Sequence, residues 1–143
     1  MAQIPHKTWL KITAIIIGSF GPVFFLATMP ATAEPARFTL DLISWPLDGA
    51  QTYDDPTLRF LSALAGGLLA GWGILIWFLS GAAYDAAPEP IRKAVLASIL
   101  VWFVLDSAGS VASGNASNAL FNILILLAAV GPMWWPDRTR ALA

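Results

Sequence analysis

The chain has 143 residues, of which 57% are apolar and 12% are charged. Soluble domains carry about 45–50% apolar and about 25% charged residues, so this composition predicts an integral membrane protein. Eight basic and nine acidic residues give a net charge of -1, which excludes a strongly basic surface for nucleic acid. The chain has no cysteine, which excludes disulfides, thiolate metal sites, iron–sulfur clusters and thiol nucleophiles.

Four apolar stretches are long enough to cross a bilayer as helices, which takes roughly 20 residues for a hydrocarbon core about 30 Å thick. They run approximately from Trp9 to Met29, Leu58 to Ser80, Ile91 to Val111 and Ala119 to Trp135. An open sheet would leave unpaired backbone groups in lipid, so each stretch is predicted to be helical. We therefore predict an all-α membrane protein with a single domain over residues 1–143. It is a four-transmembrane-helix bundle with a structured periplasmic loop over residues 30–57.

The first apolar stretch also has features of a secretory signal peptide. It has a short basic start, and Ala31-Thr32-Ala33 before Glu34 resembles a cleavage site. The apolar core of a signal peptide usually spans about 7–15 residues, and this run is longer. A retained helix is therefore the favoured interpretation, with cleavage as the alternative.

The distribution of basic residues predicts the orientation, because Lys and Arg are concentrated on the cytoplasmic side of membrane proteins. Two basic residues, Arg37 and Arg59, fall on one side of the bundle. The other six fall on the opposite side: Lys7, Lys11, Arg92, Lys93, Arg138 and Arg140. We predict a bacterial inner-membrane protein with both termini in the cytoplasm. The periplasmic loop is then predicted to cover the outer end of the bundle, with docking of a partner as the alternative.

Two features of the sequence predict how the helices pack. Ala63, Gly67 and Gly71 recur every four residues in the second stretch, and small residues allow the close backbone contact that holds helices together in lipid. This face is predicted to meet another helix of the bundle, with contact to another subunit as the alternative. The short connections predict that the second and third stretches, and the third and fourth, are antiparallel neighbours. Within the long loop, residues 38–43 fit either a short strand or a turn of interfacial helix.

A polar cluster is predicted around Asp106, the one acidic residue within the third stretch. A carboxylate at the centre of a membrane helix costs on the order of 2.5–3.5 kcal/mol, so it should face the bundle and have a partner. Arg59, in the first turn of the second stretch, is the predicted ion-pair partner. Ser110 shares a helical face with Asp106, and Asn118 and Asn122 repeat at the same spacing on the returning helix. This network is predicted either to fix helix packing or to bind the polar head of a lipid or quinone.

The residues needed for most cofactor chemistry are absent. His6 is the only histidine and lies outside the first stretch, so no helix offers an axial ligand to haem or chlorophyll. The sequence has no spacing typical of a zinc or di-iron site and no phosphate-binding loop. We therefore predict a non-catalytic protein without an intrinsic cofactor, for which lipid or quinone is the candidate bound molecule.

The layout resembles the small four-helix inner-membrane proteins of bacteria, broadly the DoxX-like group. The shared traits are four spans, an arginine opening the second, a polar residue late in the third and a short hairpin into the fourth. The resemblance covers most of the chain as architecture, and it implies a membrane subunit, since some members serve redox systems. This chain has no cysteine and no intramembrane histidine for a redox role of its own.

The predicted function is an accessory or assembly subunit that packs against a larger membrane complex, with respiratory and photosynthetic complexes as candidates. Its predicted partners are membrane lipids and other membrane-protein subunits, and not nucleic acid. The first alternative is a lipid- or quinone-binding protein that uses the cluster around Asp106. The second is a small transporter or enzyme of unassigned type.

Overall fold

The computed structural model describes residues 5–136, which form helices and the connections between them and contain no strand. The helices are α1 (His6–Leu26), α2 (Glu34–Ile43), α3 (Pro56–Phe78), α4 (Tyr84–Ala86), α5 (Pro88–Ala112) and α6 (Ala116–Val130). A π-helical turn, Leu79–Ala83, joins α3 to α4, and 3₁₀ turns lie at Pro30–Thr32 and Gly131–Trp134. Residues 38–43 belong to α2, so the strand alternative for this segment is wrong.

Four helical segments are long and apolar enough to cross a membrane, which confirms that part of the prediction. They are His6–Leu26, Pro56–Ala86, Pro88–Ala112 and Ala116–Trp134. Their bounds lie within about three residues of the predicted ones, except that the second segment continues through the π-helical turn to Ala86. Many large apolar side chains on these helices face outward, and Leu68 and Leu105 are 75% and 69% exposed. Apolar surface of this extent marks contact with a membrane or with other proteins.

Helices α1 and α3 pack closely along their length because glycines lie at the points of contact. A Cβ atom added to Gly66 would stand 2.7 Å from both the carbonyl oxygen of Gly21 and the backbone nitrogen of Phe25. A Cβ atom added to Gly73 would stand 2.6 Å from the Cα atom of Gly18. The two backbones therefore touch at these positions, as small residues allow in helix pairs of membrane proteins.

The prediction that the face of Ala63, Gly67 and Gly71 meets another helix of the bundle is wrong for both glycines. Gly67 and Gly71 are exposed, and no atom lies within 4 Å of the position where a Cβ atom would stand at either residue. Ala63 is partly buried. Successive residues of a helix point about 100° apart, so Gly66 and Gly67 belong to different faces. The glycines of α1 meet the face of Gly66, and the Gly67–Gly71 stripe points out of the bundle.

Helices α5 and α6 form the second pair, a hairpin whose turn includes Gly114. This residue has a φ of +84°, a region that glycine adopts without a steric penalty. The two helix pairs meet where α1 begins and α6 ends. There Trp9 Nε1 and Thr13 Oγ1 both donate hydrogen bonds to the carbonyl oxygen of Ala129, at 3.1 and 2.6 Å. The bundle is therefore closed at this end.

The closed end of the bundle also carries most of its basic groups, and we call it the basic end. Lys7 Nζ pairs with the carboxylate of Asp85 at 2.6 Å. The buried guanidinium of Arg92 pairs with Glu89 at 2.6 Å and donates a further hydrogen bond, at 2.5 Å, to the carbonyl oxygen of Met133. We call the opposite end, which α2 covers, the α2 end.

Candidate functional site

A cavity of about 560 Å³ lies between the α1–α3 pair and the α5–α6 pair. Helices α3 and α5 contact each other little, although the rings of Trp72 and Trp102 approach to a centroid distance of 6.5 Å. The second and third spans, predicted to be antiparallel neighbours, therefore make few close backbone contacts. Leu68 belongs to the cavity wall and is nevertheless 75% exposed. The cavity therefore opens sideways, toward the surroundings of the helices.

Helix α2 forms the roof of the cavity, to which it contributes Thr39 and Ile43. Its carboxyl end is tied to the α5–α6 turn, because Ser117 Oγ donates to the carbonyl oxygen of Ile43 at 2.7 Å. Asn115 Nδ2 donates to Ser44 Oγ at 3.2 Å. Since α2 also follows α1 directly in the chain, it connects the two helix pairs at this end.

The segment after α2 folds back onto that helix. The buried carboxylate of Asp41 accepts hydrogen bonds from the backbone N–H groups of Asp48 and Gly49, at distances from 3.1 to 3.3 Å. Arg37 Nε donates to the carbonyl oxygen of Gln51 at 3.0 Å. These bonds hold the segment in a defined position over the α2 end of the bundle.

A hydrogen-bonded cluster of polar side chains joins α5 to α6 beneath this roof. Asp106 Oδ2 accepts hydrogen bonds from the amide nitrogens of Asn118 and Asn122, at 3.1 and 2.5 Å. The amide of Asn118 also donates to Ser110 Oγ at 2.8 Å, and that of Asn122 donates to Ser107 Oγ at 3.1 Å. The structure thus brings together four of the five residues predicted for the network, and three of them, Asp106, Asn118 and Asn122, line the cavity.

The position of the turn explains which residues meet in this cluster. Ser110 and Asn118 are each four residues from Gly114, and Asp106 and Asn122 are each eight residues from it. In an antiparallel hairpin, residues at equal distances from the turn lie opposite each other, and a spacing of four keeps them on one face. Ser107 also belongs to the cluster, and sequence reasoning missed it. It follows Asp106 directly in the chain, and the second N–H group of the Asn122 amide reaches its hydroxyl oxygen.

The predicted ion pair between Arg59 and Asp106 is wrong. The ion pairs among residues 5–136 include neither residue, so no basic side chain lies within 4.0 Å of the Asp106 carboxylate in this part of the chain. Arg59 is partly buried in the first turn of α3. Hydrogen bonds from Thr57, and to a lesser extent the charge of Arg59, lower the pKa of Asp55. The cavity separates α3 from α5. The partners of the Asp106 carboxylate are the carboxamides of Asn118 and Asn122, and not the predicted arginine.

The polarity of the cavity changes along its length. Asp106 is the one charged side chain among the described residues that line it, and it lies near the α2 end. Farther from the turn, the same face of the hairpin presents Trp102 and Ile125, and then Ile99 and Ala129. Helices α1 and α3 complete an apolar wall. This arrangement suits a molecule with a polar head at the α2 end and an apolar tail directed toward the basic end.

Among residues 5–136, no three His, Cys, Asp or Glu side chains are grouped so that they could hold a metal ion. The chain matches no protein-family model, no curated protein and no solved structure. The resemblance to DoxX-like proteins therefore stays a prediction from the layout. The arguments for function rest on the cavity and on the cluster at its head.

Proposed function

We propose that this chain is a multi-pass membrane protein that binds an amphiphile, of which lipids and quinones are the candidate classes. The head group would lie at Asp106, Asn118 and Asn122, and the tail along the apolar wall. The observation that carries this proposal is the cavity of about 560 Å³ with its charged and carboxamide groups at one end. Ligand pockets typically measure about 300–1,000 Å³ and combine an apolar lining with a few convergent polar groups.

We further propose that the protein lies in a bacterial inner membrane with both termini in the cytoplasm. The positive-inside rule supports this orientation, since the basic end would face the cytoplasm. Helix α2 and the segment after it would then form a structured periplasmic loop. The basic end carries Lys7 and the start of α5 with Arg92 and Lys93, while Arg138 and Arg140, which lie outside the described residues, follow α6 in the chain.

A second candidate function is that of a non-catalytic accessory or assembly subunit of a larger membrane complex. The Gly67–Gly71 stripe supports it, because a helix of another protein could approach this exposed face of α3 closely. The two functions are compatible, since this stripe and the cavity are formed by different residues of α3.

The binding proposal is tested with two alanine-to-phenylalanine variants. Ala65 lines the cavity, so the ring in Ala65→Phe would occupy part of the space proposed for the ligand. Ala108 is exposed on α5 and does not line the cavity, so Ala108→Phe is the matched control. The wild type and both variants are purified in mild detergent, and circular dichroism verifies that each is folded. Lipids and quinones are then extracted and quantified per mole of protein by mass spectrometry.

We expect the wild type and Ala108→Phe to retain close to one amphiphile per chain after extensive washing, and Ala65→Phe to lose it. A variant at the head of the cavity, Asn122→Leu, should also lose it, because it removes two amide donors that position Asp106 and Ser107. Wild-type protein without any retained amphiphile would contradict the proposal. Equal retention by Ala65→Phe and Ala108→Phe would contradict it as well.

A further inference from the structure

We infer that the head group held by this cavity is a cation, namely an amine or quaternary ammonium on a hydrocarbon tail. This inference rests on the proposed function that the cavity binds an amphiphile, and it specifies the chemical class of that amphiphile. The observations that carry it are the hydrogen-bonding state of the cluster, the charge of the cavity wall and the position of two tryptophans.

The cluster presents acceptors to the cavity because its amide donors are already engaged. A carboxamide has two N–H groups. Those of Asn118 are directed to Asp106 and Ser110, and those of Asn122 are directed to Asp106 and Ser107. No donor among residues 5–136 bonds to Oδ1 of Asp106. The cluster can therefore accept a hydrogen bond from the N–H of an amine head group through Oδ1 of Asp106.

The charge of the wall also favours a cation. Within residues 5–136, Asp106 is the one charged side chain that lines the cavity. Elsewhere in the described chain, Lys7, Arg37, Arg92 and Lys93 are paired with carboxylates outside the cavity. A negative group surrounded by walls of low polarity focuses its field into the enclosed space. An ammonium head would be attracted there, and a phosphate or carboxylate head would be repelled.

Two aromatic rings lie where they can contribute to recognition of a cation. Trp102 and Trp72 both line the cavity, and Trp102 precedes Asp106 by one helical turn on α5. Tryptophan is the strongest cation–π partner among the aromatic side chains, and aromatic residues recur in proteins that recognise quaternary ammonium groups. A carboxylate beside tryptophan rings is therefore a combination suited to an ammonium head.

The test compares three ligands with the same twelve-carbon chain and different heads, namely dodecylamine, dodecanol and dodecanoate. Each is titrated into the purified full chain, and native mass spectrometry measures the fraction of protein that carries one ligand. A hydrogen bond to a charged group contributes enough for about a tenfold change in affinity. We expect dodecylamine to bind at least tenfold more tightly than dodecanol, and dodecanoate to bind most weakly.

Variants locate the preference. In Asp106→Asn, a carbonyl oxygen can still accept the amide hydrogens, so we expect dodecylamine to lose its advantage while dodecanol binds as before. Asp54→Asn removes an exposed carboxylate outside the cavity and should keep the wild-type order. Trp102→Leu retains the acid and should weaken dodecylamine binding several-fold with less effect on dodecanol. This second cavity variant serves if Asp106→Asn does not fold.

The outcomes separate the two proposals. Equal affinity for the three ligands in the wild type, or tightest binding of dodecanoate, would overturn the cation inference and leave amphiphile binding in place. Failure of all three ligands to bind would count against the proposed function itself. If Asp106→Asn still binds dodecylamine more tightly than dodecanol, the preference arises from a group other than Asp106, and the inference is overturned.

Discussion

Substitution of Gly66 by alanine tests the packing of α1 against α3 with a single methyl group. The added Cβ atom would stand 2.7 Å from the carbonyl oxygen of Gly21 and from the backbone nitrogen of Phe25, whereas ordinary contact begins near 3.4 Å. One helix must therefore move by about 0.7 Å, since both obstacles are backbone atoms. At Gly67, one residue further along α3, a Cβ atom meets nothing within 4 Å.

The magnitude follows from two opposing contributions. Alanine in place of glycine favours a helix interior by roughly 0.5–1 kcal/mol, and this gain is common to both positions. Overpacking of a closely packed contact costs about 1–3 kcal/mol and applies at Gly66 alone. We therefore expect Gly66→Ala to be less stable than Gly67→Ala by about 1–3 kcal/mol. This difference corresponds to an unfolding equilibrium shifted about 5- to 150-fold.

The assay is reversible unfolding in mixed micelles, in which the fraction of denaturing detergent is raised and helix content is followed by circular dichroism. Wild type, Gly66→Ala and Gly67→Ala are measured side by side. The gain in helix propensity is common to both variants, so it cancels when their unfolding free energies are subtracted. Equal stability of the two variants would refute the close approach of α1 to this face of α3. A greater loss of stability in Gly67→Ala than in Gly66→Ala would support the packing face that was predicted from the sequence.

Two further predictions concern the connections and the termini of the helices. Gly131 has a φ of +46°, and a Cβ atom added there would overlap the indole of Trp9. Gly49 has a φ of +69°, but a Cβ atom added there would meet nothing within 4 Å. We therefore expect Gly131→Ala to lower the unfolding midpoint more than Gly49→Ala. Equal losses in that assay would argue against the overlap. Hydrogen bonds from Thr57 lower the pKa of Asp55. The ionised carboxylate therefore stabilises the folded state at pH values above its ordinary pKa. This stabilisation is lost as the pH falls through the lowered pKa of the folded state. Asp55 is the N-cap residue of α3, and an asparagine there can still accept the hydrogen bond from the backbone N–H of Thr57. We expect the unfolding free energy of Asp55→Asn to fall less between pH 7 and pH 3 than that of the wild type. Equal falls in the two proteins would contradict a stabilising role for the ionised Asp55 carboxylate.

The polar cluster shows how far sequence reasoning reached for the site. Asp106, Ser110, Asn118 and Asn122 could be grouped because helical periodicity and a short hairpin are local properties of the chain. The role given to Arg59 was wrong because it depended on the distance between α3 and α5, which are not joined by a tight turn. The need for a partner of Asp106 was predicted correctly, and two carboxamides meet it instead of a cation.

Composition and the lengths of the apolar runs were sufficient to predict four long helices. A chain with 12% charged residues and runs of about 20 apolar residues can satisfy its backbone hydrogen bonds in lipid by forming helices. Whether Gly66 or Gly67 faces α1 was decided in three dimensions, because α3 carries small residues on both faces and the choice depends on the glycines of α1. The cavity also belongs to the tertiary structure alone. It exists because α1 packs with α3 and α5 packs with α6, and because the two pairs converge at the basic end, where Ala129 accepts hydrogen bonds from α1.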